Sequence, residues 1–277
     1  MNITRLTVRS TEHGVTLLAF LAGRLRMSNR RAKALLDARG VFVNGQRVWM
    51  ARHRLSPGNR VEVQKELTTG ATVARPPVLY ESPDYLIVNK PPGLLANGPR
   101  SLEESLRRLT ACPALRAAHR LDRDTSGCLL FAKHAEAFGR ARRLFGQQRV
   151  RKLYHAIVSG CVAEPTREIT YPIDGRSART YLTTMAANRQ ASHLKIELLT
   201  GRTHQIRRHL VAIGHPLLGD QQYGTRRELN ARERAVRRQM LHAADLSFSH
   251  PVTAQLVRAQ APLPADFTEC LRQFGLR

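Results

Sequence analysis

An α+β fold in two parts is predicted: a small basic helix and hairpin module, followed by a larger domain built on a mixed, mainly antiparallel sheet. Three observations predict it. Residues 1–66 hold thirteen Lys and Arg against four Asp and Glu, so positive charge is concentrated at the front. Leu67 to Pro77, with Thr68, Thr69, Gly70, Ala71, Thr72 and the pair Pro76-Pro77, has a composition that neither packs nor holds a helix, and reads as a linker. Beyond it, short apolar strands and amphipathic helices mix without regular crossover helices, which disfavours a doubly wound parallel sheet. The predicted division is 1–66 (core about 17–66), linker 67–77 and 78–277.

In the front module Ser28 is placed to cap a helix over 29–38 whose exposed side carries Arg30, Arg31 and Lys33, with Gly40 ending it. Val41 and Val43 before Asn44-Gly45, and Val48 after it, predict a hairpin. Pro57-Gly58 marks a second turn, and Val61 and Val63 a last alternating strand. In the larger part Tyr85 to Val88 reads as a buried strand, and Ser101 with Glu104 as a capping box for a helix carrying Leu102, Leu106 and Leu109. Cys128 to Ala132 and Tyr154 to Ser159 are strand-like. Phe138, Ala141 and Phe145 share a helical face, and Leu194, Ile196 and Leu198 alternate with polar residues.

The 277 residues carry 45 Lys and Arg against 21 Asp and Glu, a formal charge of +24, and thirty-nine of those cations are arginine. A codon bias would explain arginine over lysine but not the excess of positive charge, which implies a polyanionic partner, nucleic acid first. The cluster Arg24, Arg30, Arg31, Lys33 and Arg47 on the front module points the same way. Cys112, Cys128, Cys161 and Cys270 have no paired spacing, so neither a zinc site nor a disulfide framework is predicted. With no apolar stretch near the roughly 20 residues of a membrane span, and a polar start at Met1-Asn2-Ile3-Thr4-Arg5, a soluble cytoplasmic protein is expected. A monomer is the default.

His119-Arg120-Leu121-Asp122-Arg123-Asp124-Thr125-Ser126-Gly127 sets polar and small residues directly before a buried strand, as an active-site loop does, although Asp and Ser there also serve ordinary turns. In Thr200-Gly201-Arg202-Thr203-His204-Gln205-Ile206-Arg207, Thr203 is placed to cap a helix burying Ile206, Leu210 and Ile213 and ending at Gly214. Arg202 then lies at the positive end of the helix dipole, which calls for an anion, either Asp122 or an RNA phosphate. Tyr154 offers a flat ring on which an unstacked base can rest, or fills the core. The arginine-rich segment from Arg226 to Arg238 is either a solvated helix or a further contact with an RNA backbone.

Together these segments resemble the RluA-type pseudouridine synthases, through Asn89-Lys90-Pro91-Pro92-Gly93-Leu94, His119 to Gly127 with Ala132-Lys133, Lys152-Leu153-Tyr154, Gly201 to Arg207, Gly214 to Asp220 and Leu241-His242-Ala243, in the family's order. His119 before Arg-Leu-Asp is similar to that type rather than to the small-subunit type. From about Leu17 to Glu66, chiefly in Ser28 to Ala32 and Val43 to Val48, the chain resembles the small RNA-binding module of ribosomal small-subunit protein four, departing at Thr16-Leu17-Leu18.

The resemblance implies an isomerase that breaks the bond between ribose and uracil, turns the base and rejoins it through a ring carbon, without metal or organic cofactor. It assigns Asp122 as the essential carboxylate, attacking the anomeric carbon or removing a proton from the neighbouring ribose carbon. It further implies that Arg202 pairs with Asp122, that Tyr154 stacks on the uracil, and that Arg120 fills the space left by the extruded nucleotide. His119, Lys90, Lys152 and His204 join them as candidates for contact with the RNA. Large-subunit ribosomal RNA is the expected substrate, with transfer RNA or a non-catalytic assembly factor as the alternatives. A carboxylate-dependent hydrolase lacks a paired-carboxylate pattern.

Overall fold

A computed structural model describes residues 3–37, 40–64, 75–224 and 230–276. Residues 67–74 of the expected linker, and Arg226 and Arg227 of the arginine-rich segment, lie outside the described residues. The chain divides into two compact units, Met1–Thr72 and Val73–Arg277.

The first unit contains β1 (Ile3–Thr7), α1 (Leu17–Arg24), α2 (Asn29–Asp37), β2 (Val41–Val43), β3 (Gln46–Arg47) and β4 (Arg60–Gln64). Its sheet runs β1-β4-β2-β3, every pair antiparallel. The Ser28 hydroxyl accepts the Arg31 amide at 3.3 Å and starts α2. Asn44 and Gly45, with φ of 52° and 80°, supply the two positive φ values that a tight hairpin needs. Leu17, Leu21, Leu36, Val41 and Val61 are wholly buried in the core that the two helices close over the sheet. β1 was not predicted, because Ile3-Thr4-Arg5-Leu6-Thr7 shows no clean apolar alternation; pairing along β4 holds it.

The second unit contains, in order, β5 (Val78–Glu81), β6 (Tyr85–Lys90), α3 (Leu102–Leu109), β7 (Arg116–Ala117), β8 (Ser126–Ala132), α4 (Ala135–Gly146) and β9 (Arg151–Ser159). There follow β10 (Thr166–Ile169), β11 (Thr180–Ala187), β12 (Ala191–Leu198), α5 (Gln205–Ala212), α6 (Ala231–Ala235), β13 (Leu241–Ser249), β14 (Leu256–Gln260) and α7 (Ala265–Gln273). Among the described residues these strands make a ten-stranded sheet whose main path is β10-β11-β12-β9-β13-β8-β6-β5. Every pair is antiparallel except β13 with β8, where His242 faces Ser126 and Ala243 faces Gly127. The fold is α+β, as the lack of crossover helices predicts.

Two details differ from expectation. Ser101 caps α3 by accepting from the Glu104 amide at 3.3 Å, but the Glu104 carboxylate takes the amide of Arg100 rather than that of Ser101. Leu109, at the helix end, is exposed rather than packed.

Strand alternation sorts the core onto two faces. Leu129, Phe131, Tyr154, Ala156, Leu194, Ile196 and Leu241 gather in one cluster with α3 and α5. Cys128, Leu130 and Ile87 join α4, while Ile157, Phe267, Cys270 and Phe274 seat α7. The buried imidazoles of His193 and His242 lie against Phe267 of that helix: His193 Nε2 is 2.8 Å from Nδ1 of the half-buried His155, and His242 joins the Ser126 hydroxyl at 2.9 Å and the Ala261 carbonyl at 3.1 Å. Burial, assisted by His155, lowers the pKa of His193 to about 4, and burial lowers that of His242 to about 4.

Unfolded imidazoles titrate near ~6.5, so as pH falls below that value the unfolded chain takes up protons that the folded chain refuses. Stability contributed by these groups is complete above about pH 6.5 and is lost as pH falls toward 4, by at most about 1.4 kcal/mol per pH unit per imidazole. Urea denaturation between pH 7 and 5 should show this loss, and His242→Gln should flatten its slope; an unchanged slope would contradict it.

Candidate active site

Leu121 and Asp122 enter the structure on the turn that leads into β8, where the Thr125 amide donates to the Asp122 carbonyl at 3.1 Å. Gly127 follows with φ of 111°, and a Cβ there would lie 2.1 Å from the Ala243 carbonyl oxygen. Only glycine lets β8 meet β13 at this point. The loop is then held from several sides. The ammonium of Lys90 donates to the carbonyls of Pro91, Leu94 and Arg123 at 2.8 to 2.9 Å. The Gly93 amide also donates to the Arg123 carbonyl, and the Gln239 side chain donates to the Thr125 hydroxyl.

Arg207, in the first turn of α5, carries the guanidinium that meets Asp122. Its Nη1 donates to Asp122 Oδ2 at 3.0 Å, while Nε and Nη2 grip the two oxygens of Asp220 at 2.6 and 2.8 Å. The guanidinium also lies 4.8 Å from the centre of the Tyr223 ring. Burial opposes its charge, yet the two carboxylates outweigh that and raise its pKa. Asp220 is in turn fixed by the amides of Gln222 and Tyr223, both at 3.0 Å. Asp220 and Asp122 thus share one cation unequally: the Asp220 side chain is 1% exposed, that of Asp122 20%. The second oxygen, Oδ1, lies 3.6 Å from His204 Nε2, and both residues line one pocket.

That pocket is lined by Arg120, Asp122, Tyr154, Arg202, His204 and Arg207, with Leu198 and Leu241 as apolar walls. Tyr154, on β9, is nearly buried; burial and the nearby Asp122 push its phenol pKa well up, so it stays neutral. His204 reaches Tyr223 Oη at 3.1 Å through Nδ1 and lies 3.6 Å from Asp122 Oδ1 through Nε2. Its pKa is lowered by burial, with Asp122 pulling the other way. The site therefore offers one carboxylate in a fixed orientation, a flat ring beside it, and cations at the rim. Among the described residues no group of three or more His, Cys, Asp or Glu is placed to hold a metal ion.

Several expected residues stand elsewhere or act differently. Arg202 lines the pocket but donates from Nε to the Ser177 carbonyl at 3.1 Å; the pairing with Asp122 belongs to Arg207. The reason is the start of α5: its N-cap is His204 in a left-handed conformation (φ 53°), not Thr203, and the Arg202 amide donates instead to the Gln205 side chain. Lys90 is wholly buried; burial lowers its pKa to about 7, and its three carbonyl acceptors match the three N–H groups of an ammonium, so it holds loops rather than facing RNA.

His119 is turned away from the pocket. Its Nε2 accepts the Leu130 amide at 3.1 Å, its ring stacks on Phe145, and burial drives its pKa to about 3. Lys152 is buried too, with its ammonium 6.0 Å from the centre of the same Phe145 ring. In the arginine-rich segment, Arg238 is buried against Asp266, whereas Arg232 and Arg234 on α6 are exposed. In the first unit Arg30, Arg31 and Lys33 are exposed on α2. Arg24 turns inward, donating to the Thr7 carbonyl at 2.9 Å and lying 3.4 Å from Glu12. Of Arg47, the structure describes the backbone in β3. Arg207 and Asp220 were missed as site residues, although both stand in motifs already singled out, Gly201 to Arg207 and Gly214 to Asp220.

A profile described as RNA pseudouridylate synthase matches residues 84–212. The chain is 32% identical to ribosomal large subunit pseudouridine synthase D of Haemophilus ducreyi, over 88% of this chain and 86% of the relative. It is 33% identical to the protein of the same name from Haemophilus influenzae, over 88% and 86%. Among solved structures, human RNA pseudouridylate synthase domain containing 1 is similar with a TM-score of 0.59 and 31% identity, over 71% of this chain and 87% of that one.

Removing one partner from a buried ion pair strands the other charge, whereas replacing both with apolar groups of similar size is close to neutral. Arg207→Met should therefore cost about 3–5 kcal/mol in urea denaturation, and Arg207→Met with Asp220→Leu should recover most of it. A double variant no more stable than the single one would show that the pair is not balanced in this way.

Proposed function

The chain belongs to the RNA pseudouridylate synthase family, and we propose that Asp122 is the essential carboxylate with which it isomerises uridine in large-subunit ribosomal RNA. The enzyme is an RNA pseudouridine synthase of the RluA type, an isomerase. What supports Asp122 is the bond from Arg207 to Oδ2, which orients the carboxylate at the pocket, with Oδ1 3.6 Å from His204 Nε2. Tyr154 supplies the surface for the uracil, since a base must leave its helix to reach a recessed carboxylate. Arg120, exposed at the rim beside Asp122, is the group placed to occupy the vacated stack, with Arg202 and His204 completing the pocket wall.

The reaction conserves atoms. The C1′–N1 bond breaks, the uracil turns, C1′ bonds to C5, C5 loses its proton, and N1, which carries none in uridine, gains one in the product. Asp122 serves either by bonding to C1′ and leaving as C5 takes its place, or by taking the proton from C2′ to give a glycal and returning it as C1′ joins C5.

The ribosomal target rests on the names of the relatives. The first unit is read as the RNA-holding module, of the kind found in ribosomal small-subunit protein four. Its supports are the exposed Arg30, Arg31 and Lys33 on α2 beside a four-stranded sheet, and residues 1–66 are proposed as its extent.

Tritium release from RNA labelled at uracil C5 tests the carboxylate: the unaltered enzyme should release it and Asp122→Asn should not, whereas release by the variant would overturn the assignment. Mapping pseudouridines in a strain lacking the protein should reveal unmodified sites in large-subunit ribosomal RNA; losses confined to transfer RNA would move the target there. Exchanging Arg30, Arg31 and Lys33 for alanine should weaken RNA binding and reduce its dependence on salt, because phosphate contacts release counterions. An unchanged salt dependence would remove the first unit from the RNA surface.

A further inference from the structure

Arg238 enters between α6 and β13 with its side chain 7% exposed. Its Nε and Nη2 hold the two oxygens of Asp266, in the first turn of α7, at 2.5 and 2.8 Å. The remaining arm, Nη1, donates to the carbonyl of Asp124 at 3.0 Å and to that of Gln239 at 3.1 Å. Asp124 lies two residues beyond Asp122, so one guanidinium joins the C-terminal helix to the catalytic loop. The attachment is built rather than incidental. A Cβ on Gly219 would lie 2.1 Å from the Arg238 carbonyl oxygen, so the Gly219 turn is shaped to admit this segment. The neighbouring Gln239 side chain donates from Nε2 to the Thr125 hydroxyl at 2.8 Å, adding a second hold on the same loop.

We propose that Asp266 and Arg238 are positioning residues for the reaction, through which docking of α7 sets the placement of Asp122. Helix α7 itself is held by Phe267, Cys270, Leu271 and Phe274 in a core that does not include Tyr154. Neither Asp266 nor Arg238 lines the pocket. Asp266 confines the guanidinium to one rotamer by a two-point grip, and the third arm then has one carbonyl of the loop within reach. Without Asp266, Arg238 keeps its charge but loses the grip that aims it, and the loop gains freedom at Asp124. Burial works against the Asp266 carboxylate, yet the Arg238 bonds hold its pKa below the ordinary value, so the grip is ionic at neutral pH.

The inference rests on Asp122 being the essential carboxylate, and the test separates the two. The full-length enzyme is compared with Asp266→Asn, Arg238→Lys and Cys270→Ala, the last altering the α7 core without touching the clamp. Two quantities are measured: tritium release from uracil-labelled RNA, split into kcat and KM, and amide hydrogen exchange across residues 122–125, which needs no activity.

Asp266→Asn and Arg238→Lys should lower kcat on the order of ten- to a hundredfold, as expected for a displaced reacting group, with KM for RNA within about twofold. Exchange across 122–125 should quicken while the centre of β13 stays protected. Cys270→Ala should lower the melting temperature and leave kcat and loop exchange unchanged. If Asp266→Asn matches Cys270→Ala in both measurements, or raises KM alone, the positioning role is overturned. Faster loop exchange with unaltered kcat would overturn it as well.

Discussion

One guanidinium shared between two carboxylates governs the larger unit. Arg207 is buried, and a buried cation is tolerable only when its hydrogen bonds are nearly all satisfied. Asp220 satisfies two of them side by side and is itself sealed from solvent, Gln222 accepts a further one from Nη2, and Nη1 gives one to Asp122. The inequality divides the work between two residues of the same type. Asp220 neutralises and aims the arginine, while Asp122 is oriented by a single arm of it and stays more exposed, lining the pocket. The loop before β8 must converge with two stretches far along the sequence from it, helix α5 and the turn at Gly219-Asp220, for this to happen. The sheet exists in the form that lets them.

Local signals were readable from the residues alone. Ser28 starts α2, Asn44-Gly45 turns the hairpin, and the apolar runs at Tyr85 and Cys128 are buried strands. Each depends on contacts between near neighbours in sequence, which periodicity and capping describe directly. Asp122 and Tyr154 were identified as partners in one site, and the structure places both on the same pocket. Choosing between Arg202 and Arg207 was another matter, because both stand in one short motif and the choice turns on where helix α5 begins.

A reading that starts the helix at Thr203 gives Arg202 the dipole end. The left-handed His204 moves the start by one position, and Arg207 becomes the side chain aimed at the loop. Left-handed conformations are uncommon for residues other than glycine, so little in the local residue pattern announces one at a histidine. Lys90 and His119 show the converse difficulty. Both belong to polar motifs beside the site, and both are consumed inside the protein, one by three carbonyls and the other by the Leu130 amide. Residue type revealed that these positions matter, but not that their partners are internal.

The single parallel pairing in the sheet carries a consequence for how the enzyme comes into being. β13 is inserted between β8 and β9, so among the described residues the sheet's hydrogen bonding passes from the earlier strands β5, β6 and β8 to β9–β12 through a segment made later than either group. Contacts so distant in sequence form late, after the entropy of closing long loops has been overcome. During synthesis the residues around Asp122 leave the ribosome more than a hundred positions ahead of the strand that completes their surroundings. The emerging chain can therefore display its basic first unit well before the strand that borders the Asp122 loop has been made.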